Sequence, residues 1–333
     1  MKNETRACVI RIIATLIGVA ILVALIHYIG FSKFFKVVIN ASPYWIGISI
    51  VLYAVAWIFR VQRLERFTRN AGEKIRLFEL FKLLISGYAL NVILPARLGD
   101  VATIFYLKMK NIAVGKSIAI IFQLRILDVM ALVMLSLPVF AFFFKDAPTW
   151  IGTTMLICVI IIAIPICIVF FDKDKHFFKF LGRVENKFNY KILKIISEKV
   201  NDAYIWYQGI ILNKRLLFIS IFTSITIWLF DILTCYTVSI AVASPISINA
   251  VLFGVCIANV AKSAPSIPGG IGIYESALAG ILVLFGISFD VAIIIAILDH
   301  AIKNLFTLGF GIPATMNIGM KVSDIMGFKK ELD

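Results

Sequence analysis

The first group of residues that could do chemistry interrupts an apolar stretch at residues 78–107, and it comprises Asn91, Pro95, Arg97, Gly99 and Asp100. A guanidinium group offers a planar fork of N–H donors that matches a phosphate. A helix that starts after such a break also presents free backbone N–H groups that bind anions. We therefore predict an anion-binding site at Arg97. The alternative is that Arg97 and Asp100, three residues apart, neutralise each other where the helix breaks.

A second group, rich in glycine, precedes and opens another apolar helix. Pro268, Gly269, Gly270 and Gly272 cannot form a regular helix together. A helix that begins at about residue 273 points its positive dipole end at this loop. Glu275, in the first turn of that helix, then has two interpretations. It is either a simple partner of the helix dipole or a titrating or cation-pairing group in a polar cavity.

Asp299, His300 and Lys303 form a third group inside the last apolar run, at about 290–315. A charged side chain at the centre of a bilayer costs about 2.5–3.5 kcal/mol on insertion scales, so it is expected to be paired or to face a polar cavity. Asp299 and Lys303 have the spacing and order that favour a helical ion pair. A proton relay is the alternative, because histidine titrates near physiological pH.

Four further charged residues lie in apolar surroundings. Arg125 and Asp128 are three residues apart near one end of their span, which favours an interfacial ion pair. Asp231 and Lys262 are isolated in the sequence. They pair across helices or contact lipid headgroups, and the sequence leaves both alternatives open.

The composition requires a membrane protein. Hydrophobic residues make up 61% of the 333 residues and charged residues 16%, against about 45–50% and 25% in soluble domains. Apolar runs of helical crossing length recur, and they lack the alternation of barrel strands. Soluble enzymes are thereby excluded. The net charge of +14 comes mainly from basic residues that flank the apolar runs, as the positive-inside rule produces, so we expect no nucleic-acid partner.

Common catalytic and cofactor motifs are missing from the sequence. It contains no HExxH, GxSxG or P-loop motif. Its five cysteines show neither a CxxC nor a Cys/His spacing. We therefore expect no metal ion and no cofactor, and we favour a transporter over an enzyme.

The apolar runs predict an all-α polytopic membrane protein with about six full transmembrane helices and two re-entrant helical hairpins around a central polar cavity. The interrupted segments, 78–107 and 250–286, are expected to re-emerge on the side where they enter, because broken backbone is tolerated in a membrane only where protein or a cavity surrounds it. Counting each as one crossing gives eight spans instead. The full spans are predicted at about 8–30, 43–60, 117–144, 149–171, 215–242 and 290–315.

The basic residues predict the orientation of a single membrane domain, 1–333. Charge clusters near the N-terminus, after the second span and in the tail place both termini in the cytoplasm, at the cell membrane. The polar segment 172–214 carries apolar residues at helical spacing among lysines. It is expected to be a cytoplasmic amphipathic helix on the inner leaflet or, alternatively, a helix packed on the ends of the bundle.

Together, the stretches 91–100 and 268–275 resemble the transmembrane-region family of lysylphosphatidylglycerol synthetases, which are flippase-like integral membrane proteins. The resemblance covers nearly the whole chain. Family members often carry arginine where this chain has Thr103 and Tyr274, so the resemblance does not extend to those two positions. Only a short tail follows the last span, so we expect no soluble aminoacyltransferase domain and no aminoacyl-lipid synthesis.

The resemblance implies two re-entrant hairpins around a cavity and movement of polar lipids between leaflets. We predict that Asn91, Arg97 and backbone N–H groups at residues 269–272 bind the headgroup. Asp100 and Glu275 are expected to balance its charge, and the group at 299–303 to couple protonation to opening. Expected partners are membrane lipids, a lipid-modifying transferase and a second copy in a homodimer. The alternative is an accessory subunit or membrane enzyme that presents a lipid substrate to a separate glycosyl- or aminoacyltransferase.

Overall fold

The computed structural model describes residues 30–94, 97–143, 191–263 and 268–318, with a few isolated residues besides. All regular structure in these ranges is helical. The spans predicted at 8–30 and 149–171 lie outside the described residues, apart from isolated positions.

Ten α-helices follow one another in the described ranges, and a 3-10 turn at Pro268–Gly270 precedes the ninth. They are α1 (Phe31–Ile39), α2 (Pro43–Asn70), α3 (Leu77–Ile93), α4 (Leu98–Lys108), α5 (Val114–Phe143), α6 (Lys191–Leu212), α7 (Lys214–Ala241), α8 (Ile248–Ser263), α9 (Ile273–Leu284) and α10 (Phe289–Ile318).

Helices α2, α5, α7 and α10 are long and apolar enough to cross a membrane. They confirm four of the six predicted spans, because 28 to 30 residues extend about 42–45 Å as a helix and the hydrocarbon core is about 30 Å thick. Their outward faces carry exposed apolar side chains, such as Phe218, Phe222 and Leu305. Such apolar faces fit against lipid, whereas in water they would promote aggregation.

The second span is longer than predicted. The basic residues after position 60 suggest that it ends there, but α2 continues as a helix to Asn70. Arginine is a good helix former, and the extension buries Arg60 and Arg63 against carboxylates of other helices. The helix starts with Pro43 at its first position, where a missing N–H costs nothing, and Gly72 follows its end with a φ of 96°.

Both predicted interruptions are breaks between two short helices. Helices α3 and α4 have 17 and 11 residues, and α8 and α9 have 16 and 12. At 1.5 Å per residue each extends at most about 26 Å. The members of each pair pack together. A Cβ on Gly99 would overlap the carbonyl oxygen of Gly87, and a Cβ on Gly254 would lie 2.7 Å from Leu278 Cδ1.

The two helical pairs lie between α5 and α10. Helix α5 packs against α4 and α8, whereas α10 packs against α3 and α9. The contact of α10 with α3 is close, because a Cβ on Gly311 would lie 2.7 Å from the carbonyl oxygen of Ile85. Each pair therefore has one helix against α5 and the other against α10, so the breaks of both pairs can meet inside the bundle.

Helix α6 makes up most of the described part of the polar segment 172–214. It packs on α5, and Tyr207, Ile210 and Ile211 belong to the buried apolar cluster around the first helical pair. In this part the segment packs against the bundle, as in the second alternative. Residues 172–190 lie outside the described residues.

Candidate functional site

Residues that flank the two breaks contact each other. A Cβ on Gly269 would lie 3.3 Å from the carbonyl oxygen of Val92, which is near the end of α3. Arg97, at the start of α4, donates from Nη2 to the carbonyl oxygen of Lys262 near the end of α8, at 3.4 Å. The structure thus brings together two motifs that are about 170 residues apart in sequence.

Arg97 has an unusual backbone conformation. It precedes the first turn of α4 with φ 55° and ψ 37°, in the left-handed region. For a residue other than glycine this conformation costs about 1–3 kcal/mol, and such residues cluster at ligand sites. Within the described part of the chain, no carboxylate forms an ion pair with Arg97, and its side chain is only partly buried. Among the described residues, Arg97 Nη2 bonds the carbonyl oxygen of Lys262, and no carboxylate ion pair occupies the rest of the guanidinium group.

Asp100 forms its ion pair with Arg125 of α5, so Arg97 does not have this carboxylate to itself. Arg125 Nε donates to Asp100 Oδ2 at 3.0 Å, and its Nη2 bonds the other carboxylate oxygen. Asn91 Nδ2 donates to Asp100 Oδ1 at 2.8 Å. Asn91, predicted to bind substrate, therefore orients Asp100. The bidentate pair of Asp100 and Arg125 joins the first helical pair to α5.

The predicted pair of Arg125 and Asp128 forms only as a long contact of 3.8 Å between Nη1 and Oδ2. Each residue has a closer partner on another helix. Asp128 Oδ1 accepts from Arg63 Nη1 at 2.7 Å, and Arg125 bonds Asp100. The spacing in the sequence correctly predicted that both residues are paired, but the partner it indicated makes the longer contact.

At the second break, three glycines have positive φ: Gly269 (63°), Gly270 (69°) and Gly272 (83°). Other residues rarely adopt this conformation. The N–H of Gly272 donates to Glu275 Oε2 at 2.7 Å, and this caps the start of α9. The other oxygen of Glu275 lies 2.6 Å from His300 Nδ1. Glu275 is thus both a partner of the helix end and the partner of a titratable group.

His300 connects Glu275 to Lys262. Lys262 Nζ lies 3.4 Å from His300 Nε2. A lysine ammonium group has only donors, so with a charged Lys262 the Nε2 atom accepts and Nδ1 donates to Glu275. The imidazole thus lies between the amine of Lys262 on one side and the carboxylate of Glu275 on the other. The ring of Tyr274 lies against it, at 4.5 Å between centroids.

Asp299 and Lys303 form the helical pair predicted from their spacing. Lys303 Nζ lies 2.9 Å from Asp299 Oδ1 and 3.0 Å from Asp231 Oδ1. Asp231 also pairs with Arg60, so this isolated residue of α7 pairs across helices. Tyr274 donates its hydroxyl to Asp299 Oδ2 at 2.5 Å. The result is a buried chain of alternating charges through α2, α7, α10 and α9.

The family described as the lysylphosphatidylglycerol synthase TM region matches residues 11–311. The chain belongs to this family. Together with the four long apolar helices, this membership establishes an integral, multi-pass membrane protein. The resemblance of the two motifs, residues 91–100 and 268–275, is thereby confirmed at the level of the family.

Several proteins are similar to this chain along most of its length. Glycosyltransferase AglD of Haloferax volcanii is 24% identical over 94% of this chain, which spans about half of that relative (55%). A UPF0104 membrane protein of Pyrococcus horikoshii is 25% identical over 86% of this chain and 91% of its own length. A second UPF0104 membrane protein, from Methanocaldococcus jannaschii, is 23% identical over 95% of this chain and 97% of its own length.

Two arginines, Arg60 and Arg63, are buried although the sequence did not predict it. Arg60 and Arg63 belong to a basic block that the positive-inside rule places in the cytoplasm, yet their exposed fractions are 6% and 2%. A helical pattern was the available signal. Tyr53, Trp57 and Leu64 are buried on α2, and their spacing continues a buried face through position 60.

Proposed function

We propose that this chain moves lipids with a polar, phosphate-bearing headgroup, such as an aminoacyl phospholipid or a lipid-linked sugar, between the leaflets of the cell membrane. The main support is the contact between the residues that flank the two helix breaks. Arg97 lies beside this contact and has no carboxylate partner within the described residues. Paired broken helical elements that meet inside a bundle are typical of transporter sites near the midplane.

The short helices support re-entrant hairpins. No member of either pair reaches the thickness of the hydrocarbon core. In the predicted orientation, the first hairpin follows the cytoplasmic end of α2 and the second follows the outer end of α7. Two hairpins that enter from opposite sides and touch at their breaks would form a barrier in the middle of the membrane, with access from either leaflet when they separate.

The chemistry of the breaks favours an anionic headgroup. Arg97 supplies a donor fork, and the start of α4 beside it supplies backbone N–H groups and a positive dipole end. The loop at Gly269 and Gly270 allows a headgroup to approach the main chain. Asp100 and Glu275 hold the neighbouring cationic and polar groups in place. The acyl chains remain in lipid while the headgroup passes the breaks.

His300 offers a route from protonation to opening. A proton on its Nε2 would remove the acceptor that Lys262 Nζ contacts and would place two cations together. The same Lys262 holds Arg97 through its carbonyl oxygen. Displacement of Lys262 would therefore loosen the contact between the breaks. The carboxylates of Glu275 and Asp299 would stabilise the protonated His300.

Liposome reconstitution tests the proposal. Protein is inserted into vesicles that contain headgroup-labelled lipids, and the rate at which inner-leaflet label becomes accessible outside is measured. Arg97→Ala is expected to abolish the exposure of inner-leaflet label while the yield of folded protein stays unchanged. Glu275→Gln is expected to reduce the rate of label exposure strongly. Arg69→Ala is the matched control, because Arg69 lies at the exposed end of α2 and pairs with Glu65. A normal rate in Arg97→Ala would refute the role of Arg97.

The second candidate is an accessory subunit or membrane enzyme that presents a lipid to a transferase. It is favoured by the printed name of one relative, Glycosyltransferase AglD, of which this chain spans about half (55%). In that case purified protein with a separate transferase would increase product formation while label in the inner leaflet stays inaccessible. Lipid exposure without any transferase supports translocation.

A further inference from the structure

The open end of the first helical pair, where α3 begins and α4 ends, carries a cluster of cations. We call residues 76–82 and 108–110 the basic surface. Its charged residues are Arg76, Glu79, Lys82, Lys108 and Lys110. Lys110 Nζ lies 3.3 Å from Glu79 Oε2, so the two segments are neighbours in space. Four basic residues thus share a surface with one acidic residue, and this favours an anionic partner.

Exposed apolar side chains lie among these cations. Leu77, Phe78 and Met109 are exposed, and the exposed fraction of Phe78 is 67%. Arg76, which immediately precedes Leu77 and Phe78, is exposed as well. A surface that combines exposed aromatic and aliphatic side chains with lysine and arginine fits the boundary between lipid headgroups and acyl chains.

The side chain of Lys82 is directed toward the same boundary. Lys82 lies on the second turn of α3, and its Nζ is 4.6 Å from the ring centroid of Phe78, one turn nearer the start of the helix. Helical side chains point back toward the N-terminus, and lysines near the ends of membrane helices extend in this way to reach the headgroups. The ammonium group therefore lies closer to the end of the bundle than the backbone of Lys82.

The opposite end of the bundle has a different character. The N–H of Ser42 donates to the carbonyl oxygen of Ala241 at 2.8 Å, so α2 begins beside the end of α7. The connections 242–247 and 285–288 at that end contain no charged residue. The basic surface therefore faces one leaflet, which is the inner one in the predicted orientation.

We propose that the basic surface binds the headgroups of anionic phospholipids in the leaflet at this end and concentrates them beside the first helical pair. Arg76 and Lys82 contact the phosphates, and Leu77, Phe78 and Met109 lie among the upper parts of the acyl chains. The inference deepens the proposed function, on which it rests only for its role in transport. It makes the transported lipid anionic and places its entry at this leaflet.

A fluorescent reporter in the surface tests the binding of lipid. Phe78→Trp supplies the reporter, and its signal is the difference between this variant and the wild-type protein. The variant is reconstituted into vesicles of equal parts phosphatidylglycerol and phosphatidylcholine, in which one lipid or the other carries bromine as a contact quencher. The surface charge of the bilayer is the same in both preparations. We expect brominated phosphatidylglycerol to quench the reporter more strongly, and we expect added salt to weaken this preference.

Neutral variants of the reporter protein identify the cations responsible. Arg76→Gln and Lys82→Gln are each expected to lower the preference for phosphatidylglycerol about fivefold at low salt, and the double variant should lower it further. Arg76→Glu should reduce it more than Arg76→Gln. Lys36→Gln is the matched control, because Lys36 is exposed on α1 at the other end of the bundle, and it should keep the full preference.

Two results would overturn the proposal. Equal quenching by the two brominated lipids would leave an acidic protein as the occupant of the basic surface. An unchanged preference in the double variant would show that Arg76 and Lys82 do not bind the headgroups.

Arg97→Ala in the reporter protein distinguishes failure of this proposal from failure of the proposed function. Helix α3 has 17 residues, so the break that Arg97 adjoins is about 26 Å from the start of the helix. We therefore expect Arg97→Ala to keep the preference for phosphatidylglycerol while it abolishes exposure of inner-leaflet label. A preference in wild-type reporter protein that moves no lipid would support the basic surface and refute translocation. Translocation without any preference would refute the basic surface alone.

Discussion

Replacement of Lys303 by methionine tests the buried charge chain most directly. Methionine has similar length but cannot contact the two carboxylates that lie 2.9 and 3.0 Å from Lys303 Nζ. Asp231 would keep Arg60 as a partner, whereas Asp299, which is 0% exposed, would keep only the hydroxyl of Tyr274. Removing one partner of a buried pair costs about 3–5 kcal/mol, because the remaining charge has no compensation.

A second substitution should restore most of this loss. In the double variant Asp299→Asn/Lys303→Met no isolated carboxylate remains, so we expect a total loss of about 1–2 kcal/mol and a coupling energy of about 2–3 kcal/mol between the two positions. Lys110→Met is the control. Its pair with Glu79 spans 3.3 Å and is well exposed, and such pairs contribute about 0–1 kcal/mol.

The free energy of unfolding is measured by denaturant titration in mixed micelles, and lipid exposure is measured on the same preparations. A loss below about 1 kcal/mol in Lys303→Met, or a double variant as unstable as the single one, would refute the argument from burial. Transport also separates the two interpretations of the group at 299–303. A structural pair predicts that the folded double variant transports, whereas a proton relay predicts that it folds and does not.

Two further predictions concern packing and the tyrosine of the charge chain. Gly99→Ala is expected to cost about 1–3 kcal/mol or more of unfolding free energy, because the added Cβ would overlap the carbonyl oxygen of Gly87. Gly280→Ala, with no atom within 4 Å, should instead be neutral or gain up to about 1 kcal/mol, so equal effects would contradict the close packing. Tyr274→Phe should lose about 1–3 kcal/mol in the same titration, and no change would show that Asp299 does not need this donor.

The spans and the breaks could be predicted because both depend on local sequence. A run of apolar residues must form a helix to satisfy its backbone in lipid, and proline with glycine must interrupt it. The four long helices and the four short ones agree with these rules. The end of α2 did not follow them, because burial of Arg60 and Arg63 by distant carboxylates continued the helix beyond its apolar part.

The partners of the charges could not be predicted, with the exception of the helical pair of Asp299 and Lys303. Arg60 meets Asp231 across 171 positions of sequence, and Lys262 meets His300 across 38. Spacing identifies only neighbours on one helix. It therefore favoured Asp128 as the partner of Arg125, whereas the fold supplies Asp100 in a bidentate contact.

The balance of charge around the breaks explains why Arg97 is the residue on which the proposed function depends. Four of the cations each meet a carboxylate: Arg60, Arg63, Arg125 and Lys303. His300 links the fifth cation, Lys262, to Glu275. Among the described residues of this network, Arg97 then adds a positive charge without a carboxylate. Arg97 is only partly buried, and a guanidinium group forms its strongest hydrogen bonds with anionic acceptors. Under the proposed function we therefore expect an anionic headgroup to bind there in preference to a neutral one.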